Sequence, residues 1–202
     1  MVNVMQSRQQ VRLPSMGLLA LAASLAIYIL SQIDVYRPPV FLTGAILVLG
    51  GSMLLLAGIR SQQQGRSYAA ATLLPLGIFW LSLISYEVFP ELGFGHHPNS
   101  ITMFSYLSLW GLFLAILFLG SFRQNLAIQM LYGAMMFSFL ALAMDHLRSD
   151  QVFLLLGCVT GVFASVVAVY IAFAQFLNPF FGRDLLPLGQ WCCAEEIDGE
   201  EN

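Results

Sequence analysis

Six long stretches of the chain are apolar almost without interruption: Met16–Ile33, Val40–Ile59, Tyr68–Phe89, Ile101–Leu119, Leu126–Met144 and Val152–Leu177. Each is close to the roughly 20 residues a helix needs to cross a bilayer core. The runs are too continuous for membrane strands, which alternate between lipid and lumen. The pattern predicts an all-α integral membrane protein with six transmembrane helices in one compact bundle. The breaks between the runs are short: Asp34–Pro39, Arg60–Ser67, Pro90–Ser100, Gly120–Asn125 and Asp145–Gln151. They leave no room for a second soluble domain. The chain divides into an N-terminal tail (1–15), a six-helix transmembrane domain (16–177) and a C-terminal tail (178–202) with an acidic end. The first run follows Arg8 and Arg12, as a signal peptide's would. It is longer than the usual roughly 7–15 residues of such a core, and five more runs follow it.

Composition supports this reading. Charged residues are 9% of the 202, against about 25% in soluble proteins, and mean hydropathy is +0.78. All eight basic residues are Arg, and five of the 11 acids lie in the last eight positions. The arginines are sorted by side. Arg8, Arg12, Arg60, Arg66, Arg123 and Arg183 fall on one side, Arg37 and Arg148 on the other. An excess of Arg marks the cytoplasmic side. Both termini are therefore expected in the cytoplasm, with the plasma membrane as the expected location. The net charge of −3 offers no basic field for nucleic acid. The three cysteines form neither a disulfide framework nor a CxxC metal motif. No cofactor or metal is expected.

Inside the spans no ionisable residue lies near the bilayer centre. Glu87 and Asp145 sit at span ends, and His96, His97 and His146 lie in or beside outer loops. This argues against a buried carboxylate relay. HExxH and Gly-x-Ser-x-Gly are both absent, which argues against an enzyme. Neutral polar groups do enter the spans, among them Ser24, Tyr28, Gln32, Thr72, Ser82 and Ser138. They suit helix–helix hydrogen bonding, or a narrow, weakly polar path for a small neutral or protonated solute. Gly50, Gly51 and the GxxxG pair Gly157 and Gly161 suit close helix packing, within the protomer or between copies. Pro75 should kink the third span. Glu91, His96, His97, Asp145 and His146 share one side of the membrane. They would make a metal or pH-sensing cluster only if the third and fifth loops met. The plainer expectation is solvated turns.

The C-terminal stretch carries a motif: Leu177-Asn178-Pro-Phe-Phe-Gly182-Arg183-Asp-Leu-Leu186-Pro187-Leu-Gly189. It resembles the end of the acetate uptake transporter family, the group of the bacterial succinate–acetate permease and its yeast relatives. Gly77-Ile-Phe79-Trp80-Leu, and Tyr106 through Trp110, Gly111 and Phe113, resemble segments of the family's third and fourth helices. The agreement runs over residues ~12–190, mainly in span count and loop length. The resemblance implies a ring-shaped hexamer in which each protomer carries its own pathway. It also implies transport of acetate and other small monocarboxylates, in some members succinate, by proton coupling or channel-like passage. Matched positions imply site residues: Gly17 and Leu18 at the entrance, Leu21 and Leu76 at the constriction, and Tyr106, Trp110 and Asn178 nearby. The departures are specific. Leu21 and Leu76 stand where the family has Phe and Tyr. The family's opening Asn-Pro-x-Pro-Leu-Gly-Leu reads Arg12-Leu13-Pro14-Ser15-Met16-Gly17-Leu18 here, without the Asn and its adjacent Pro, and Leu54 stands for a second-helix Gln. An aliphatic constriction excludes hydrated anions more strongly. Two alternatives stay open: a non-transporting membrane scaffold or sensor, and a transporter of another small neutral solute.

Overall fold

The computed structural model describes residues 13–33, 38–181 and 186–188. Among them are six long helices and one short one. They are α1 (Ser15–Gln32), α2 (Val40–Gln63), α3 (Ser67–Glu87), α4 (Ser100–Gly120), the 3-10 turn Ser121–Arg123, α5 (Leu126–Arg148) and α6 (Gln151–Phe181). All six long helices are long and apolar enough to cross a membrane. The protein is an integral, multi-pass membrane protein. The third helix ends at Glu87 rather than Phe89. Val88 and Phe89 instead form a turn, in which Phe94 N–H donates to the Phe89 carbonyl at 2.9 Å.

Helix ends follow from local chemistry. Asn99 caps α4, its Oδ1 accepting from the Thr102 N–H at 2.7 Å. α2 closes where Gly65 takes φ +71 and the Arg66 N–H donates to the Ser61 carbonyl at 2.9 Å. α3 runs on through Pro75. The proline removes the donor for the Ala71 carbonyl.

The packing order is α3–α2–α1–α6–α5–α4. Small residues let the backbones close in. A Cβ on Gly77 would lie 2.9 Å from the Gly51 carbonyl oxygen, and one on Gly51 3.1 Å from that of Gly77. Gly50 faces Ser24 on α1, Gly157 faces Leu142 on α5, and Gly161 faces Ile29 and Ser138. All four glycines singled out in the sequence thus make contacts within one protomer. Ser138 Oγ donates to the Gly157 carbonyl at 2.7 Å, joining α5 to α6. The last gap, between α3 and α4, is bridged by side chains. Tyr106 stacks on Phe79 with centroids 5.7 Å apart and donates to the Phe79 carbonyl at 3.0 Å. The outer faces of α4 and α6 present large apolar side chains such as Leu109, Ile116, Leu155 and Val159, as a lipid-facing surface requires.

Candidate solute pathway

A cavity of about 360 Å³ opens at the end of the bundle where α1, α3 and α5 finish and α2 and α4 begin. Gln32, Thr43, Glu87, Glu91, His97 and His146 are among its lining residues. The third loop and the end of α5, which nothing in the sequence brings together, therefore meet here. Among the described residues no three His, Cys, Asp or Glu side chains converge as metal ligands would. At this vestibule Gln32 Nε2 donates to Glu87 Oε1 at 3.2 Å.

Helix periodicity carries three columns inward from the vestibule. Leu21 and Tyr28 are seven residues apart on α1, so they share a face. Trp80 and Glu87 do the same on α3, and Tyr132, Phe139 and His146 on α5. The columns meet in layers. The first layer is aromatic. Tyr28 meets Trp80 edge-on at 6.0 Å and Phe139 at 6.4 Å, and Phe79 contacts Trp80 at 4.7 Å and Phe139 at 4.9 Å. All four rings are 1% exposed or less. Tyr28 Oη, Trp80 Nε1 and Ser24 Oγ are buried with no hydrogen-bond partner. A buried orphan polar atom costs about 1–3 kcal/mol. The rings of Tyr28 and Trp80 meet, and Ser24 lies one turn below Tyr28 against Gly50, so a water or a passing solute would find polar atoms along this depth.

The second layer is aliphatic. Leu21 lies eleven residues before Gln32 on α1, and Leu76 eleven residues before Glu87 on α3. Both helices finish at the vestibule, so the Gln32–Glu87 bond sets their register. Both leucines then fall about 16 Å below it, at one depth. Each is 1% exposed. A third, polar layer follows, where buried Tyr132 lies beside Thr72, whose hydroxyl donates to the Ala69 carbonyl at 2.9 Å. The leucines thus lie between two polar levels.

The other implied site residues sit as follows. Leu18 is fully buried, and Gly17 packs on Ala57 and Leu73. Tyr106 and Trp110 are partly buried against Phe79 at the α3–α4 seam. Asn178 is committed elsewhere. Its Nδ2 donates to the Leu186 carbonyl at 3.0 Å, and its Oδ1 accepts from the Leu186 N–H at 3.1 Å. Tyr170 holds the same tail through the Pro187 carbonyl at 2.7 Å. Arg8, Arg12, Asp34, Arg37, Arg183, Trp191, Cys192 and Cys193 lie outside the described residues. Phe79 was marked only as part of its third-helix segment, and Phe139 carried no signal of its own, because a phenyl ring in an apolar span looks like any other core residue. Gln32 and Glu87 could have been paired only by knowing that α1 and α3 end together.

Six membrane helices around a layered interior, with a polar vestibule at one end, define a polytopic membrane protein of the transporter or channel type. The chain belongs to the GPR1/FUN34/yaaH family, whose profile matches residues 9–183. It is 28% identical over 153 residues to the succinate-acetate/proton symporter SatP of Escherichia coli, covering 74% of this chain and 81% of that one. An uncharacterized protein of Methanothermobacter thermautotrophicus is 26% identical over 145 residues, 68% of this chain and 71% of its own. The fold matches the solved structure of the bacterial acetate channel SatP with a TM-score of 0.81, at 24% identity, over 87% of this chain and 97% of that chain. The family resemblance carried by the C-terminal motif therefore holds, as does the six-helix bundle.

Proposed function

We propose that the chain moves small monocarboxylates, acetate first, across the membrane through the interior of each protomer. The observation that carries this reading is the stratified core. Orphan polar atoms of Ser24, Tyr28 and Trp80 lie between the vestibule and the leucine level, and a Thr72–Tyr132 pair lies beyond it. Hydroxyl and indole donors can replace a solute's hydration bond by bond without a deep trap. The relative named as a succinate-acetate/proton symporter supports the substrate class. Gly17 and Leu18 would flank the tail-side entrance, Leu21 and Leu76 would form the constriction, and Tyr106 and Trp110 would brace its α3–α4 wall. The reading is transport, without a catalytic step. It places both termini in the cytoplasm and the vestibule outside, in the plasma membrane, following the arginine sorting. A homo-hexamer is part of the proposal, by family resemblance.

The burial of Leu21, Leu76 and the four rings, each 1% exposed or less, favours a second reading, a non-transporting scaffold or sensor. Uptake of labelled acetate by proteoliposomes, with and without an inward acid gradient, separates the two. Saturable uptake above that of empty vesicles supports transport. Uptake equal to empty vesicles supports the scaffold.

A further inference from the structure

Glu87 is an ionisable side chain placed at the mouth of the interior columns. It is partly buried, lines the vestibule and is held by the Gln32 amide at 3.2 Å. The groups around it are mixed. Tyr28 lies beneath it on α1, and Tyr86 precedes it on α3. Glu91 and His97 come from the segment after α3, and His146 from α5 with Asp145 beside it in sequence. Tyr106 of α4 sits behind Tyr86, with ring centroids 4.8 Å apart. The vestibule residues contributed by α2, Val40 and Thr43, carry no charge. Among the described residues no Lys or Arg lines the vestibule. A second carboxylate entering here meets a like charge, with no Lys or Arg among the described lining residues to offset it.

Two carboxyl groups in contact do not both ionise; they share one proton. We propose that Glu87 selects the solute's protonation state: passage requires one proton shared between Glu87 and the entering monocarboxylate. Either the undissociated acid meets ionised Glu87, or the anion meets protonated Glu87. Both routes hold the same number of protons. The proton enters from the water on the vestibule side and leaves with the solute, while Glu87 returns to its carboxylate. Net movement is one neutral acid, so uptake is electroneutral. This inference rests on the transport reading and names the residue that would set its proton requirement.

The test is labelled acetate uptake by full-length chain in proteoliposomes at fixed total acetate, with empty vesicles subtracted. External pH is varied from about 5 to about 8, the range over which the undissociated fraction falls while acetate stays abundant. Wild-type uptake should fall about tenfold per unit above about pH 6. Glu87→Gln should flatten that slope to less than about twofold, because the neutral amide no longer excludes the anion. Glu87→Asp should keep the wild-type slope. An unchanged slope in Glu87→Gln overturns the proposal, as does a slope abolished only by replacing His97 and His146. The wild-type chain alone supplies a second arm: an imposed potassium diffusion potential should leave acetate uptake unchanged. Potential-driven uptake overturns the proposal even if Glu87→Gln does not fold. Absence of any wild-type uptake removes the transport reading, and this inference with it.

Discussion

Gln32 on α1 and Glu87 on α3 are joined by a 3.2 Å hydrogen bond at the vestibule, 55 positions apart in sequence. From this bond inward, equal counts of eleven residues lead to Leu21 and Leu76. The pair therefore registers two helices so that two leucines oppose the same depth of the interior. Gln32→Ala should loosen that register. A hydrogen bond to a charged group contributes about 1.5–3 kcal/mol where buried, less here because Glu87 is only partly so. A drop of a few degrees in detergent thermal unfolding is expected, and an unchanged midpoint would argue against the register.

Tyr28→Phe separates stability from transport. The Tyr28 hydroxyl is buried without a partner. Removing it should leave the protein as stable or stabilise it by about 1 kcal/mol. Acetate uptake should fall severalfold, because a hydrogen-bonding step on the route is lost. Equal uptake in the variant would mean that the solute does not use this hydroxyl. The phenyl ring keeps its edge contacts with Trp80 and Phe139 in either case.

Gly77→Ala should act on folding alone. The new Cβ would meet the Gly51 carbonyl oxygen at 2.9 Å and the Leu55 side chain at 2.8 Å. Backbone cannot step aside as a side-chain end can, so α2 and α3 must part. The expected loss is about 1–3 kcal/mol, read as lower thermal stability and a smaller monodisperse fraction in detergent. Wild-type stability would show that the two helices are not held this closely.

Asn178→Ala should likewise weaken the tail more than the route. It removes both hydrogen bonds to Leu186, each contributing about 1 kcal/mol net. Faster proteolysis of the C-terminal segment is expected, with acetate uptake per folded protein retained. Lost uptake with an intact tail would return Asn178 to the pathway that its motif suggested.

The contrast between Asn178 and Leu21 shows where sequence reasoning stops. The six spans could be read directly, because twenty-residue apolar runs have one structural answer in lipid. Leu21 and Leu76 were named from matched positions, and the structure buries both. Asn178 was named the same way, yet its amide binds the tail, since a motif identifies a residue without saying where its side chain points. Tyr28 was visible as a polar group in an apolar run, but its lack of a partner was not. The vestibule was invisible for a topological reason. Glu87 and His97 come from the end of α3 and the loop after it, Gln32 from the end of α1 and His146 from the end of α5, and only the packing order α3–α2–α1–α6–α5–α4 brings those ends round to one mouth.

The most direct test of passage through the protomer interior is the size dependence of acetate uptake at position 21. Wild type, Leu21→Ala and Leu21→Trp would be reconstituted at matched, monodisperse protein levels and assayed in the same vesicles. A constriction at this depth predicts uptake severalfold above wild type for Leu21→Ala and close to that of empty vesicles for Leu21→Trp. Equal uptake in all three folded proteins would contradict a route past Leu21.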